Sequence, residues 1–269
     1  MKEYENQKNI ASLDLFRGVA GYGVAICHFY YYLYNLNYFQ FYSIFFVEFF
    51  FVLSGFVLYP QLKKVHESSN NTKIFYLRRW YRTIPPYLIA LLVYSVLFSK
   101  FDLDTLKYLF FLQNVSESFT NFEYFYVAWS LAIEEQFYLV WPALFVFLYK
   151  RSLYFVFIAL ICMVLLSWGL RLHYVSMGYS KFAYTATLCR IDALAFGAMI
   201  SLFYRYFYTW LECLKIVFAV LAICSFLCVA YILISQQTIF DAYKVLICYG
   251  LTLCSILYFS YFSFLLASN

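Results

Sequence analysis

The residues of this chain best suited to chemistry include an arginine and a histidine eleven positions apart, Arg17 and His28. An α-helix turns by about 100° per residue, so the second side chain comes within about 20° of the first. On one helix they would share a face, roughly 16 Å apart along the axis. A histidine with a pKa near its ordinary value of about 6.5 can take a proton from an attacking hydroxyl at neutral pH. The alternative is a packing histidine and an arginine that extends to the helix end.

A second group of candidates is basic. Arg79 and Arg82 are three residues apart, so they point the same way on a helix. Two guanidinium groups on one face are suited to clamping a phosphate. They precede Pro85 and Pro86, where we expect a helix to begin. The alternative is ordinary positive charge at a membrane surface, or contact with anionic lipid.

Several further ionisable residues lie within apolar segments, where a charge costs about 2.5–3.5 kcal/mol at the centre of a membrane-spanning helix. Glu134 and Glu135 are adjacent, and we expect them near the external end of a span, where hydration at the interface is the alternative to a buried role. Arg190 and Asp192 fall on different helix faces, so each needs a partner on another helix, either to neutralise its charge or to line a polar cavity. The remaining members of this group are Asp14 and Glu48.

The composition predicts that lipid surrounds the elements that position these residues. Of the 269 residues, 65% are hydrophobic and 12% are charged, whereas soluble domains carry about 25% charged residues. The net charge of +5 is small and its basic residues cluster at segment ends, so no nucleic-acid partner is expected. The eight cysteines fall almost entirely in apolar segments without a CxxC pair, so we predict neither a metal site nor a disulfide framework.

We therefore predict an all-α fold, a polytopic bundle of about eight transmembrane helices. Lysine and arginine are more frequent in the segments on the N-terminal side of the membrane, twelve against five, which predicts a cytoplasmic N-terminus. Arg171 is counted among the five external residues, and the apolar stretch 105–112 is too short to span. Ser54 and Gly55 lie late in the second span and favour close helix packing. The predicted spans lie near 10–33, 39–60, 83–99, 125–149, 152–171, 183–204, 213–235 and 243–266.

Five segments, taken in order over residues 13–197, resemble the acyltransferase-3 family of integral membrane acyltransferases. Any one of them is a weak signal, but five in the same order make coincidence an unsatisfactory explanation. The matching segments are Arg17 through His28, the Phe-rich Ser54-Gly55 segment at 49–56, Arg78-Arg79 with Arg82 and Pro85, Trp129-Ser130-Leu131 with Glu134, Phe137 and Tyr138, and Arg190 with Asp192, Leu194 and Gly197.

The resemblance implies an O-acyltransferase that moves an acyl group, usually acetyl, from acyl-CoA to a hydroxyl of a cell-surface or lipid-linked carbohydrate. It implies no permanently bound cofactor; the partners would be the acyl-CoA donor, the glycan acceptor and the lipid bilayer. The implied location is a bacterial inner membrane. The implied site residues are His28 and Arg17 for catalysis, Arg79 and Arg82 for the donor, Glu134, Arg190 and Asp192 in the polar core, and Ser54, Gly55 and Trp129 for packing.

We expect a single domain over residues 1–269. Family members usually continue for about two more spans, so we expect the domain to lack its C-terminal part. Direct transfer is favoured over a covalent acyl-enzyme, because the neighbouring Cys27 faces away from His28 on a helix. Two alternatives remain open. One is a transporter or flippase that uses the intramembrane charges, although the sequence shows no inverted repeat. The other is an inactive acyltransferase remnant.

Overall fold

The computed structural model describes residues 11–34, 37–67, 69–115, 125–235 and 244–268. The described residues are overwhelmingly helical and contain no strand. Short 3₁₀ turns at Tyr126–Ala128 and Thr187–Cys189 and a π-helical turn at Leu246–Gly250 connect some of the helices. The α-helices are α1 Ala11–Tyr34, α2 Asn37–Glu67, α3 Ser69–Leu97, α4 Leu103–Leu109, α5 Trp129–Tyr149, α6 Leu153–Ser176, α7 Ser180–Thr185, α8 Ile191–Tyr206, α9 Tyr208–Ser235 and α10 Leu251–Ser268.

Four of the described helical segments are long and apolar enough to cross a membrane. This confirms the prediction of a helical membrane protein at that level of detail. The count of eight spans and the cytoplasmic N-terminus stay predictions. The four segments are Tyr42–His66 in α2, Trp129–Tyr149, Leu153–Ser176 and Tyr208–Tyr231.

The expected span near 183–204 is wrong as a single helix. It is divided into α7, a 3₁₀ turn and α8, which begins at Ile191. Two polar side chains of α6 explain the break. Ser167 donates a hydrogen bond to the carbonyl of Leu188, and Arg171 donates to the carbonyl of Cys189. These bonds satisfy backbone oxygens that a continuous helix would pair internally.

The expectation that a helix begins at the proline pair is also wrong. α3 begins at Ser69 and continues through Pro85 and Pro86 to Leu97. Each proline removes one backbone donor, but it does not end the helix here, as is common where neighbouring helices support the chain. The arginines at 78, 79 and 82 therefore lie on a regular helix, which fixes the directions of their side chains.

α2 is the central helix, and it packs against α1, α3, α5, α8 and α10. Its crossing with α8 depends on two glycines. A Cβ atom added to Gly55 would lie 2.0 Å from the carbonyl oxygen of Leu194, and one added to Gly197 would lie 2.0 Å from that of Val52. The close approach predicted at Gly55 is confirmed. The close approach holds the start of α8 against the middle of α2. Arg190 lies just before this start, and Asp192 lies in the first turn of α8.

Candidate active site

A cavity of about 490 Å³ opens between α1, α2 and α3, and basic side chains dominate its walls. α3 contributes three arginines within little more than one turn, and α1 and α2 contribute one basic residue each. Within the described part of the chain, none of these five groups forms an ion pair within 4.0 Å. The cavity therefore carries an excess of positive charge that suits a polyanion. The five residues are Arg17, Lys64, Arg78, Arg79 and Arg82.

The inner end of the cavity is built by α2 and α5. The hydroxyl of Ser54 donates a hydrogen bond of 2.7 Å to Oε1 of Glu134. The guanidinium of Arg79 lies over the ring of Tyr138, one turn further along α5. Arg79 also interacts electrostatically with Glu134 and Glu135, without an ion pair within 4.0 Å. The two carboxylates therefore lie behind the innermost arginine and offset part of its charge.

This arrangement corrects the expected separation of Arg79 from the two glutamates. Arg79 was expected at the cytoplasmic face, and Glu134 and Glu135 near the opposite end of the bundle, but they lie side by side. Interfacial hydration does not account for the carboxylates either, because Glu134 and Glu135 are only 7% and 8% exposed. The early start of α3 at Ser69 explains this result, because Arg79 then lies inside the helix. The hydroxyl of Tyr76 in the same part of α3 donates a hydrogen bond to the carbonyl of Leu139, beside the α5 segment that carries the two glutamates. Ser54, expected to serve packing, is the hydrogen-bonding partner of Glu134.

His28 lies outside this cavity. It shares the uninterrupted helix α1 with Arg17, and the helical rise puts it roughly 16 Å from Arg17 along the axis. Its ring is half-buried, and its centroid is 6.5 Å from that of Tyr32 on the next turn. Arg17 therefore connects the cavity with the position of His28, because Arg17 lines the cavity and lies on the helix that carries His28.

A second polar region lies in the core, between α2, α6, α8 and α10, and its charges balance. Arg190 contacts Glu48 at 2.7 Å, and Arg171 contacts Asp192 at 2.7 Å. All four side chains are essentially inaccessible. The hydroxyl of Ser255 donates a hydrogen bond of 2.6 Å to Glu48. Arg190 and Asp192 thus each have a partner on another helix, as predicted, and do not pair with each other.

Aromatic rings enclose the Arg190 guanidinium. Its central carbon is 5.5 Å from the ring centroids of Phe51 and Trp129 and 5.2 Å from that of Tyr184. These distances are typical of cation–π contacts. Trp129, expected to serve packing, therefore forms one wall around a buried cation.

Arg171 is a correction to the predicted topology map. It was counted among the external charges, but its side chain is fully buried in α6, where it also donates to the hydroxyl of Thr252. Arg171 lies at the end of a long apolar segment, and this place in the sequence was equally compatible with an external charge and with a buried one. Glu48 was noticed as an intramembrane charge, but nothing in its spacing indicated Arg190 as its partner.

A family model described as an acyltransferase domain matches residues 10–268, which is nearly the whole chain. The chain belongs to the acyltransferase-3 family. The resemblance carried by the five segments is thereby confirmed. No solved structure matches the chain.

Curated relatives of this chain are named as O-acetyltransferases. The peptidoglycan O-acetyltransferase OatA of Listeria monocytogenes is 35% identical over 116 residues, covering 36% of this chain and 19% of that protein. A protein of Staphylococcus aureus strain COL that is named as an O-acetyltransferase is 27% identical over 225 residues. The match covers 74% of this chain and 35% of that protein. The chain thus spans about a third or less of these relatives.

The structure distributes the site residues predicted from sequence over more than one place. Arg17, Arg79 and Arg82 line one cavity, while Arg190 and Asp192 belong to the separate charge network. The sequence did not indicate Gln61, Lys64 or Asn71, which also line the cavity and carry no motif of their own. The described residues contain no group of three potential metal ligands. The side chain of Asp14 lies outside the described part of the structure.

Proposed function

We propose that this chain is a membrane O-acyltransferase that moves an acetyl group from acetyl-CoA to a hydroxyl of a cell-surface or lipid-linked carbohydrate. The observation that carries the donor assignment is the cavity with five cations and no ion pair within its described surroundings. Coenzyme A carries several phosphate groups, and arginine is the residue best suited to binding them in a bidentate manner. The names of the relatives support acetyl as the group transferred.

The geometry supports a sequence of steps along α1. The phosphates bind at Arg79 and Arg82, and the flexible arm of the donor extends past Arg17 toward His28. His28 takes the proton of the acceptor hydroxyl while that oxygen attacks the thioester carbonyl. The tetrahedral intermediate collapses, the carbon–sulfur bond breaks, and the thiolate of coenzyme A leaves and takes up a proton. The products are the acetylated acceptor and free coenzyme A.

The proposed setting follows from the predicted topology. With a cytoplasmic N-terminus, Arg17 and the arginines of α3 belong to the cytoplasmic half of the bundle, where acetyl-CoA is made. His28 then belongs to the external half, which suits an acceptor on the external surface. We accordingly propose a bacterial inner membrane as the location.

The first test separates binding from transfer. Arg79→Gln/Arg82→Gln should weaken coenzyme A binding by roughly 100-fold, since each charged hydrogen bond lost costs about 1.5–3 kcal/mol. Arg151→Gln is the matched control, because Arg151 is exposed and lies outside the cavity. Binding is measured by isothermal titration calorimetry of the purified protein in nanodiscs.

The second half of the test concerns His28. His28→Gln should leave coenzyme A binding unchanged and reduce transfer of radiolabelled acetyl groups to host glycans by at least roughly 100-fold. Transfer that persists in His28→Gln would remove His28 from the mechanism. Wild-type protein that binds no coenzyme A, but moves an anionic solute across proteoliposomes, would replace the acyltransferase proposal with a transporter.

A further inference from the structure

The cation-lined cavity is elongated, and its two ends differ in chemistry. From α2 it takes residues between Ser54 and Lys64, and from α3 residues between Asn71 and Arg82. Ten or eleven helical residues span roughly 15–16 Å, so the cavity runs along both helices instead of forming one compact pocket. Arg79 and Arg82 lie at one end, beside Ser54. The opposite end has a different set of side chains.

That opposite end combines amides, one ammonium group and an apolar surface. Gln61, Lys64 and Asn71 supply the polar groups, and Ile74 and Phe75 supply the apolar contacts. The side chain of Asn71 donates a hydrogen bond of 2.8 Å to the carbonyl of Lys64, which ties the end of α2 to the beginning of α3. The Asn71 side chain is thereby held at the cavity wall.

These groups match the parts of a nucleotide. Asparagine and glutamine amides pair in a bidentate manner with the edge of adenine, because each offers one donor and one acceptor. A lysine ammonium is a compact point charge that suits a single terminal phosphate. The neighbouring apolar side chains suit a flat base that must leave water. The arginines, roughly two to three helical turns away, are left for phosphates in the middle of the same ligand.

We propose that this end of the cavity is a nucleotide subsite, in which Gln61 and Asn71 bind the adenine base of coenzyme A and Lys64 binds the phosphate on its ribose. The inference rests on the proposed acyl-CoA donor and deepens it. The subsite makes the enzyme selective for coenzyme A over donors that present only a phosphopantetheine arm. It also sets the direction of the ligand, with the nucleotide at Lys64 and the thioester arm leading past Arg17.

The test uses three probes of decreasing size: coenzyme A, dephospho-coenzyme A, which lacks the ribose phosphate, and 4′-phosphopantetheine, which lacks the adenosine and both phosphates attached to it. Their affinities for the full chain in nanodiscs are compared by calorimetry. Wild-type protein should bind coenzyme A roughly tenfold more tightly than dephospho-coenzyme A, and 4′-phosphopantetheine still more weakly.

Two variants assign the groups. Lys64→Gln should weaken binding of coenzyme A by roughly tenfold and leave dephospho-coenzyme A unchanged, so that the two probes become equivalent. Gln61→Ala should weaken both and leave 4′-phosphopantetheine unchanged. Lys73→Gln is the matched control, because this exposed lysine of α3 does not line the cavity.

Each outcome has a distinct meaning. Equal losses for coenzyme A and dephospho-coenzyme A in Lys64→Gln would overturn the assignment of Lys64, and unchanged affinities in Gln61→Ala would overturn that of the base site. Wild-type protein that binds 4′-phosphopantetheine as tightly as coenzyme A would overturn the subsite while leaving an acyl donor in place. Failure of all three probes would instead contradict the proposed donor itself.

Discussion

Two groups of arginines in this protein differ in how far carboxylates neutralise their charges. The cavity is open and is lined by five cations, and two carboxylates lie behind one of them, Arg79. The core holds two arginines and two carboxylates, each arginine contacting one acid at 2.7 Å, and all four are essentially inaccessible. The comparison teaches that charge balance, more than the presence of arginine, separates a ligand site from a structural network.

The difference has an energetic reason. Removing one member of a buried pair strands the other charge in a medium that cannot solvate it, which costs about 3–5 kcal/mol. Removing a cation from an open cavity leaves its neighbours in contact with water, so stability changes little. Substitutions in the two regions should therefore move different observables, stability in the core and donor affinity in the cavity.

The largest effect is expected from Glu48→Ala. It leaves the Arg190 guanidinium buried among aromatic rings without a carboxylate, and should reduce the free energy of unfolding by about 3–5 kcal/mol. The measurement is the fraction of monodisperse protein that survives heating in detergent, followed by size-exclusion chromatography. Glu212→Ala serves as control, because Glu212 is exposed on α9.

A second variant tests whether that loss of stability comes from the stranded charge. Glu48→Gln/Arg190→Met removes both members of the pair, and should be more stable than Glu48→Ala, because no buried charge is stranded. If the double variant is as unstable as the single one, packing around Glu48 matters more than its charge, and the comparison drawn above fails for this pair.

An intermediate effect is expected at the α2–α8 crossing, which joins the two regions. Gly55→Ala places a methyl group 2.0 Å from the carbonyl oxygen of Leu194, so the helices must separate. We expect a loss of about 1–3 kcal/mol, typical of overpacking, in the same heating assay. Gly169→Ala is the matched control, since a Cβ at this helical glycine meets nothing within 4 Å. An equally stable Gly55→Ala protein would show that the crossing tolerates separation.

The smallest effect is expected from Glu134→Gln in the cavity. The amide retains an acceptor for the Ser54 hydroxyl while removing the negative charge behind Arg79. The cavity becomes more positive, so coenzyme A should bind roughly threefold more tightly, corresponding to about 0.6 kcal/mol. Calorimetry against wild type measures the change. Unchanged affinity would mean that Glu134 does not oppose the positive charge at Arg79.

The parts of the site that the sequence predicted correctly are those that depend on local spacing. Arg79 and Arg82 line one cavity because they are three residues apart on a helix, and Arg17 and His28 lie on one continuous helix. Gly55 was expected to allow close approach of another backbone, and it does. The break before Ile191 was missed because side chains of α6, distant in sequence, satisfy the backbone there.

The sequence by itself determined the helical membrane class and the family, because composition and short motifs can be read along the chain without knowledge of its packing. The tertiary structure decided which charges are neutralised. Arg171 joins Asp192 and Glu48 joins Arg190 only after α2, α6 and α8 pack together. It also brought Lys64 and Gln61 into the same cavity as the arginines of α3. Such partners depend on helix crossings that bring distant segments into contact, and no local pattern records them.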